Sequence, residues 1–413
     1  MSVIRDKSLA PEGHKKIEWV KSFMPVMRSL EERFLKEQPF KGLKIAVCVH
    51  LEAKTAYLCK VLRAGGAEIY VTGSNPLSTK DEICSALDSE GFNVYAWFNA
   101  TDEEYEEHIR MTLECCPDII IDDGGDFVHM LHNEHPEYAV NVKGGCEETT
   151  TGIYRLRARE KAGLLNFPMM AVNDANCKHL FDNRHGTGQS VWDAIMFTTN
   201  NMVTGKTVVV AGFGYCSSGI AKRAAGLGAK VIVTEVNPYR ALEAAMEGYR
   251  VMKMDDAAKL GDIFITSTGC KDVIVKRHYE AMKDNVLIAN AGHFDVEFNK
   301  NDLRELSVKI ENRKNFIDGY TLSDGRTINV LADGRLVNIA AGNGHPAEIM
   351  DMSFGIQALS ALYIAQNAGK LENKLYNIPE SIDREIAMIK IDAMGLGLDV
   401  LTEEQEAYLG GME

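Results

Sequence analysis

The chain has 413 residues, 46% of them hydrophobic, and a formal net charge of −14 at pH 7. That length can bury two substantial cores, so we expect two domains and a small appendage. Because the chain is acidic and lacks a basic cluster, a signal sequence and an apolar run of about 20 residues, we expect a cytoplasmic protein that binds neither nucleic acid nor membranes.

Short apolar runs alternate with segments of helical pattern through the first half of the chain. The predicted strands are residues 44–49, 68–71, 94–96, 118–121 and 169–172. The predicted helices between them are residues 53–64, 80–89, 102–115 and 148–161. This alternation is typical of a parallel, doubly wound sheet, in which ligands bind at the carboxyl ends of the strands.

A glycine-rich turn follows a strongly apolar strand halfway along the chain. Residues 206–211 are the predicted strand, Gly212 and Gly214 form the turn, and a second predicted strand, 230–234, ends at Glu235. Gly212 permits a tight turn, and Gly214 lets the backbone approach a pyrophosphate. An acid in the place of Glu235 binds the ribose hydroxyls of NAD and repels the 2′-phosphate of NADP. The pattern therefore predicts an NAD site.

The remaining elements extend this cofactor unit and return the chain to the first one. Further helices are predicted over 185–200, 348–368 and 382–394, and further strands over 262–266, 286–290 and 308–310. We predict an α/β fold of two doubly wound Rossmann-like domains. The NAD-binding domain, 185–345, is inserted into a substrate-binding domain made of 1–184 and 346–390. A small C-terminal helical tail, 391–413, follows.

Acidic segments follow two of the apolar runs. In Asp122-Asp-Gly-Gly-Asp126, the glycines indicate a turn close to a ligand, and the acids suit sugar hydroxyls or proton transfer. A surface Asx-turn would give the same pattern. The segment Glu147-Glu-Thr-Thr-Thr151 opens a predicted helix, and taken alone it indicates a helix cap.

Lys178 and Asp182 lie one helical turn apart, so their side chains can touch. An isolated pair of this kind is usually a solvated surface ion pair. This pair, however, follows the polar Asn173 and directly precedes the cofactor unit, where a cleft between two domains is expected. His50 and His293 each follow an apolar run, and either one alone would be an ordinary structural histidine.

Many of these segments resemble one enzyme family, in the same order along nearly the whole chain. The matching segments are 50–56, 75–79, 122–126, 147–151, 173–183, 212–219, 290–295, 336–345 and 401–408. They are similar to those of the S-adenosylhomocysteine hydrolase (adenosylhomocysteinase) family, and the length resembles its short archaeal and thermophile branch.

The resemblance implies reversible cleavage of S-adenosyl-L-homocysteine to adenosine and L-homocysteine with tightly bound NAD. A thioether is a poor leaving group, and oxidation of the ribose 3′-hydroxyl to a ketone acidifies the neighbouring C4′ proton. Homocysteine then leaves by elimination, water adds, and the ketone is reduced again. The cofactor is regenerated in each cycle, so it stays bound and the cleft excludes water.

The resemblance also implies roles for particular residues. Lys178 would take the 3′-hydroxyl proton, oriented by Asp182 and Asn183, and a closed cleft would lower its pKa to permit this. Asp123 and His50 would manage the C4′ proton, the protonation of the leaving group and the activation of water.

Other implied contacts hold the substrate and the cofactor, with Glu148 and His293 on the ribose and the His345 loop gating the cleft. The predicted catalytic residues are His50, Asp123, Lys178, Asp182, Asn183 and His293. The predicted substrate-binding residues are Glu52, Lys54, Thr55, Asp123, Glu148, Lys178, Asp182, His345 and Met350. The predicted cofactor-binding residues are Thr149, Thr150, Thr151, Asn183, Gly212, Phe213, Gly214, Tyr215, Cys216, Glu235, Val236, Arg240, Thr268, Ala291, Gly292, His293, Asn338 and His345. The nine cysteines are scattered without a C-x-x-C pair, so no metal site is predicted.

The choice of purine depends on Glu52 and Lys54, where long-form members of the family carry Thr and Glu or Gln. Adenine presents an amino donor and a ring-nitrogen acceptor, whereas Lys54 offers only donors and would suit the 6-oxygen of hypoxanthine. We predict adenosylhomocysteinase activity, with S-inosyl-L-homocysteine as the alternative substrate if Lys54 faces the base rather than solvent. Further alternatives are a paralogue acting on another nucleoside thioether, a two-domain NAD-dependent dehydrogenase and a non-catalytic NAD-binding regulator.

A few features depart from the family. Lys80 replaces the usual Gln, His185 replaces the usual Tyr, and Ser217 replaces a fingerprint glycine, which returns only at Gly219. These three changes would fit a paralogue acting on another nucleoside. The sequence ends at Glu413 without the Lys- and Tyr-bearing tail of long-form members, which predicts looser cofactor retention. The family implies a homotetramer.

Overall fold

Two sheets and the helices around them make up the computed structural model, which describes residues 2–411. The first six strands are β1 (Lys44–Cys48), β2 (Glu68–Thr72), β3 (Asn93–Val94), β4 (Ile119–Asp122), β5 (Gly144–Glu147) and β6 (Met169–Ala171). The others are β7 (Thr207–Ala211), β8 (Lys230–Thr234), β9 (Arg250–Val251), β10 (Ile263–Thr266), β11 (Val286–Asn290), β12 (Ser307–Lys314), β13 (Ile317–Leu322), β14 (Thr327–Leu331) and β15 (Leu375–Asn377).

Helices occupy most of the chain between these strands. The helices before β7 are α1 (Ala10–Ser22), α2 (Pro25–Glu37), α3 (Ala53–Ala64), α4 (Asp81–Ser89), α5 (Asp102–Leu113), α6 (Asp126–Asn133), α7 (Thr150–Lys161), α8 (Asn176–Lys178) and α9 (Thr187–Thr199). The helices after β7 are α10 (Tyr215–Gly226), α11 (Pro238–Met246), α12 (Met254–Ala257), α13 (Lys276–Ala281), α14 (Lys300–Leu306), α15 (Val337–Ala340), α16 (Ala347–Gln366), α17 (Glu380–Ala393) and α18 (Glu403–Leu409). A π-helical segment, His179–Gly186, joins α8 to α9.

The first sheet has the strand order β15-β6-β5-β4-β1-β2-β3, and all its strands are parallel. Its strands are apolar on both faces, as expected for a parallel sheet covered by helices on each side. Ile45 and Val47 face one core with α3 and α16, and Ala46 and Ile120 face the other with α5 and α6. The strand order reverses between β1 and β4, so the carboxyl ends of these two strands are where a ligand site is expected.

The second sheet repeats this order as β9-β8-β7-β10-β11-β14 and adds the antiparallel strands β13 and β12 at its edge. The strand order of this second sheet reverses between β7 and β10. Both sheets are therefore doubly wound, and the predicted α/β fold of two Rossmann-like layers with a C-terminal helix is confirmed. That helix is α18, and the last two residues of the predicted tail, 412–413, lie outside the described residues. Within residues 2–411, no helix has the length and apolar character that crossing a membrane requires.

Strand β5 was not predicted, because it begins with Gly144 and Gly145, and glycine has a low propensity for strands. The structure nevertheless places it between β4 and β6, where a Cβ on Gly145 would lie 2.4 Å from the Ile120 side chain. Glu147 ends this strand, and the predicted helix begins two residues late, with the Thr149 hydroxyl accepting from the Gly152 amide at its N-cap. The segment Glu147–Thr151 therefore contains the helix cap, at Thr149, but its first residue belongs to β5.

Candidate functional site

A cavity of about 1390 Å³ lies where loops at the carboxyl ends of the two sheets meet. It exceeds the roughly 300–1000 Å³ of a pocket for one small ligand, so it can hold a dinucleotide and a second molecule. Every residue predicted from the sequence to catalyse, to bind the substrate or to bind the cofactor lines this cavity. The structure therefore brings together side chains from both sheets that are up to about 300 residues apart in the chain.

Two imidazoles and a carboxylate form a cluster at one end of the first sheet. His50, which follows β1, bonds through Nδ1 to the Ser78 hydroxyl at 2.7 Å, and its Nε2 lies 3.5 Å from Asp123 Oδ2. The Ser74 hydroxyl donates to the same Oδ2 at 2.7 Å. His50, Asp123 and His293 each place a nitrogen or oxygen within 4.8 Å of the others. This spacing suits proton transfer, and since these residue types also bind metals, the absence of a metal site stays a prediction.

The ionisation of this cluster follows from its burial. Burial lowers the pKa of His50, so its imidazole is neutral at pH 7. Burial acts to raise the pKa of Asp123, but His50, His293 and the Ser74 hydroxyl outweigh it and leave that pKa below its ordinary value. Asp123 Oδ1 is buried and has no hydrogen-bond partner among the described residues, so a carboxylate oxygen is free to accept a proton.

His293, which follows β11 of the second sheet, lies against Gly124, which follows β4 of the first sheet. A Cβ on Gly124 would lie 2.6 Å from His293 Nε2, and Gly124 has φ of +108°, which side chains other than glycine rarely adopt. Glycine is therefore required at this position on two independent grounds. The contact lies beside the acid and imidazole cluster.

Lys178 lies between two buried carboxylates rather than on the surface. Its Nζ is 2.7 Å from Asp182 Oδ2 and 3.0 Å from Glu148 Oε1, and only 6% of the residue is exposed. Asp182 lies in the π-helical segment, and its other oxygen is bonded to His345 Nδ1 from the loop before α16. On the same segment, Asn183 donates from Nδ2 to Asn173 Oδ1 at 3.0 Å.

The expectation that the cleft lowers the pKa of Lys178 is wrong for this structure. Burial does act in that direction, but Asp182 and Glu148 outweigh it and raise the pKa above its ordinary value. The pKa of Asp182 is lowered, because Lys178 and His345 outweigh its burial. Burial raises the pKa of Glu148, although Lys178 opposes this. Lys178 is therefore an ammonium, and of its two partners Glu148 is the one better able to accept a proton.

Lys54 faces the cavity and does not turn to solvent. Only 6% of it is exposed, and its Nζ lies 2.7 Å from Glu52 Oε2 and 3.3 Å from the Asn343 carbonyl oxygen. Met350 lines the same end of the cavity. A hydrogen-bond donor and an acceptor are thus presented side by side, which corrects the interpretation of this position as a donor alone.

The glycine turn after β7 fits a dinucleotide. Gly212 has φ of +94°, and a Cβ there would lie 2.9 Å from the Ser267 carbonyl oxygen. A Cβ on Gly214 would meet nothing within 4 Å, so open space lies over the start of α10, whose first amides have no side-chain cap. Glu235 follows β8, and its carboxylate lines the cavity while it accepts from the Phe213 amide at 2.7 Å. The residues present therefore fit NAD.

The departure at Ser217 has a local explanation. Its hydroxyl donates to the Ser267 carbonyl oxygen at 2.8 Å, and the residue is fully buried. The close packing that a third fingerprint glycine usually permits is found at Gly219, where a Cβ would lie 1.8 Å from the Arg184 carbonyl oxygen. The turn is thus intact. The third glycine stands two positions later in the sequence than usual, at Gly219, where it packs against the π-helical segment.

At the far end of the glycine turn, Asn338 donates from Nδ2 to the Ser190 hydroxyl at 3.0 Å. The residue lines the cavity, and its Oδ1 is buried without a hydrogen-bond partner among residues 2–411. The Thr268 amide and hydroxyl both donate to Glu297, a buried acid that was not predicted from the sequence.

Of the two other departures from the family pattern, Lys80 lines the cavity, and His185 lies in the π-helical segment.

Asp122 and Glu147 lie next to each other beneath the acid cluster and were also missed as supporting residues. They are paired in register on β4 and β5, and both are fully buried. Asp122 accepts from the Asp123 amide, and Glu147 Oε1 accepts from the amides of Gly124 and Thr149 at 2.9 Å. Acids at the ends of two adjacent predicted strands would have been the signal, but β5 was not recognised as a strand.

This pair makes the stability of the protein depend on pH. Burial raises the pKa of Asp122 to about 7 and also raises that of Glu147. Unfolded carboxyls lose their protons near pH 4, so above that value the folded state holds more protons. The contribution of this pair to the free energy of unfolding therefore falls as pH rises from about 4 to about 7, by up to roughly 1.4 kcal/mol per pH unit for each proton.

Glu147→Gln should weaken this dependence, since Glu147 Oε2 has no partner in the described part of the chain and an amide group can replace it. We expect a smaller loss of unfolding free energy between pH 5 and 7 than in the wild type, measured by urea denaturation. Glu18→Gln, on the exposed face of α1, is the control and should follow the wild type. A Glu147→Gln slope equal to that of the wild type would contradict the assignment.

Comparison with known proteins agrees with this site. The family model described as S-adenosyl-L-homocysteine hydrolase matches residues 2–140, and the model of its NAD-binding domain matches residues 183–344. The chain is 55% identical to S-inosyl-L-homocysteine hydrolase of Methanocaldococcus jannaschii, over 99% of this chain and 98% of that protein. It is 53% identical to adenosylhomocysteinase of Pyrococcus abyssi, over 98% of this chain and 96% of that protein. It is 51% identical to adenosylhomocysteinase of Aquifex aeolicus, over 99% of this chain and 98% of that protein.

The NAD-binding domain match agrees with the glycine turn and Glu235, so the cofactor is NAD. Together the two family models cover most of the described chain, and the relatives align over almost its full length. The chain belongs to the S-adenosyl-L-homocysteine hydrolase family.

Proposed function

We propose that this protein hydrolyses S-adenosyl-L-homocysteine to adenosine and L-homocysteine, reversibly and with bound NAD. The observation that carries the proposal is that one cavity contains the NAD turn and two separate acid–base groups. These are Lys178 between Asp182 and Glu148, and Asp123 beside the neutral His50. When bound, NAD would accept the hydride from the ribose C3′ and return it at the end of the cycle.

The first proton transfer involves Lys178 and the ribose 3′-hydroxyl. Because Lys178 holds its proton in the ion pairs, that proton must leave before the amine can act as a base. Glu148, 3.0 Å away and with a raised pKa, is the group best placed to take it. The neutral amine then accepts the hydroxyl proton, and Asp182 keeps the nitrogen in position through the i,i+4 contact.

The second proton transfer belongs to Asp123 and His50. The free oxygen of Asp123 takes the proton from C4′, whose acidity is raised by the neighbouring 3′-ketone. The bond between C5′ and sulfur then breaks, and the sulfur leaves with a proton supplied through His50. The same pair activates the water that adds to C5′, while C4′ receives a proton. Reduction of the ketone at C3′ completes adenosine.

The proposed chemistry requires that water be excluded while the ketone exists, and the burial of the catalytic side chains supports this. Lys178, Asp182, Glu148 and Asp123 are all buried, and the contact between His293 and Gly124 joins the two sides of the cavity. In this proposal, residues 1–184 and 346–390 bind the nucleoside and residues 185–345 bind NAD. We further propose a cytoplasmic homotetramer that needs no metal and binds neither nucleic acid nor membranes.

A second candidate substrate, S-inosyl-L-homocysteine, is favoured by the Glu52–Lys54 pair. Adenine could donate its 6-amino group to Glu52 and accept at N1 from Lys54. Hypoxanthine could donate from N1 to Glu52 and accept at its 6-oxygen from Lys54. Since the pair offers one donor and one acceptor, it complements either purine edge, with the places of Glu52 and Lys54 relative to the base exchanged between the two.

Lys54→Met should lower kcat/KM for both thioethers by about tenfold or more, because the base loses a charged donor and the half-buried Glu52 loses its partner. Steady-state thiol release measures this. Lys80→Met, at another lysine of the cavity wall, is the matched control and should retain more activity. Unchanged kcat/KM in Lys54→Met would exclude Lys54 from base recognition.

The proposed function is tested by incubating the wild-type protein, loaded with NAD, with each thioether in turn. We expect thiol to accumulate over many turnovers, while the absorbance of reduced nicotinamide never exceeds one equivalent per subunit. Net formation of reduced NAD in proportion to substrate would instead indicate a dehydrogenase. No thiol from either substrate, despite bound NAD, would indicate a non-catalytic NAD-binding protein.

A further inference from the structure

Helix α16 carries polar side chains that are completely buried. Asp351, Ser353, Gln357 and Ser360 each have 0% exposure. Burying a polar group costs free energy unless it is hydrogen-bonded, so each such residue needs a partner or a reason to be there. Asp351 binds the first amides of α2 and Lys390, which explains it structurally.

Ser353 and Gln357 lie one turn apart on α16, and both contact the carboxylates that flank Lys178. The Ser353 hydroxyl donates to Asp182 Oδ2 at 2.6 Å, and Gln357 Nε2 donates to Glu148 Oε2 at 2.5 Å. An ionised carboxylate only accepts, so both side chains must act as donors here. Lys178 is thus held between two carboxylates, and each of them is bound by a donor from the same helix.

We propose that Ser353 and Gln357 are positioning residues for the Lys178 base, acting through Asp182 and Glu148. The inference rests on the proposed function and goes beyond it, since neither residue is among those that line the cavity in the described chain. A donor hydrogen bond stabilises the charged form of a carboxylate, so both donors resist protonation of Asp182 and Glu148 from solvent. The two carboxylates then stay ionised around Lys178, which keeps its nitrogen in place and leaves Glu148 free to accept its proton.

The titratable groups around Lys178 belong to several elements. They are Asp182 in the π-helical segment, Glu148 after β5, Asp123 after β4, His345 before α16 and Cys216 in α10. Replacing Ser353 or Gln357 changes none of these groups, so the number of titrating groups stays the same. Removing either donor raises the pKa of its carboxylate, which is then protonated at a higher pH and no longer holds or relieves Lys178.

The test is the pH dependence of the single-turnover reduction of bound NAD by the thioether, in the full-length holoenzyme. The variants are Ser353→Ala and Gln357→Met, and Ser360→Ala is the control, since it removes a buried hydroxyl of α16 that has no partner within residues 2–411. In each test variant, we expect the acid limb of the pH–rate profile to shift to higher pH by roughly half to one pH unit. Below that limb, the rate would fall about three- to tenfold, with a plateau near that of the wild type. Ser360→Ala should overlay the wild type.

An acid limb that stays in place in a variant that binds NAD and melts like the wild type would overturn the inference. A loss of rate that is equal at every pH would also overturn it, because that is the result of a purely structural role. If one of the two variants fails to fold, the pH profile of the other variant tests the inference. A wild-type protein that never reduces NAD with either thioether would instead overturn the proposed function, so the two failures can be told apart.

Discussion

Lys178→Met should slow the reduction of bound NAD by substrate about 10²- to 10⁴-fold, the range that a lost general base accounts for. Methionine keeps the length of the side chain but cannot accept the 3′-hydroxyl proton. It also leaves Asp182 and Glu148 facing each other without the ammonium that lies 2.7 and 3.0 Å from them. Stopped-flow absorbance of reduced nicotinamide in a single turnover measures the rate.

Lys390→Met is the matched control for this experiment. Lys390 is also a mostly buried lysine in an ion pair, with its Nζ 2.9 Å from Asp351 Oδ2, but it lies between α17 and α16 and not among the residues of the cavity. Breaking a buried pair costs stability, so this variant should unfold at a lower temperature and still reduce NAD at the wild-type rate. If Lys178→Met reduced NAD as fast as Lys390→Met does, Lys178 would not be the base of the reaction.

Asp123→Asn should separate the oxidation from the elimination. We expect the reduced-nicotinamide absorbance to rise after the thioether is added and then to persist, while thiol release falls by about 10²- to 10⁴-fold. The reason is that an amide cannot take the C4′ proton, whereas Lys178 and its partners are unchanged. Simultaneous recording of the absorbance and of free thiol distinguishes the two half-reactions.

Asp126→Asn, in the same acidic segment, tests whether any acid there would have this effect. Asp126 accepts from the Tyr105 hydroxyl at 2.9 Å and from Arg155 at 3.3 Å, and it does not line the described cavity. It should release thiol at close to the wild-type rate. If Asp123→Asn also released thiol at full rate, or if it blocked NAD reduction completely, the assignment of Asp123 to the second proton transfer would be wrong.

The raised pKa of Lys178 changes how its chemistry must be understood. From the sequence, we expect an apolar cleft that favours the neutral amine of Lys178. The structure shows that burial is outweighed by two carboxylates, one from its own helical run and one, Glu148, from the end of β5. Lys178 therefore holds its proton until a partner accepts it, and the donors on α16 affect how readily this happens.

The sequence alone was sufficient for most of the elements that build the two sheets and for the chemistry encoded in short segments. Alternating apolar and helical patterns predicted both doubly wound sheets, and helix α3 and strands β8 and β11 were predicted with their observed bounds. The glycine turn and Glu235 indicated NAD, and the family resemblance named residues that all line one cavity. These features are local: backbone conformation and ligand-binding turns depend on neighbours a few residues away.

Only the tertiary structure decided which groups meet and how they ionise. It revealed β5 through its place in the sheet, because two glycines hide a strand from its residue pattern. It also brought Ser353 and Gln357 of α16 to Asp182 and Glu148, across 171 and 209 residues of chain. Hydrogen bonding, burial and Coulomb interactions act through space, so side chains that are distant in sequence control the proton on Lys178.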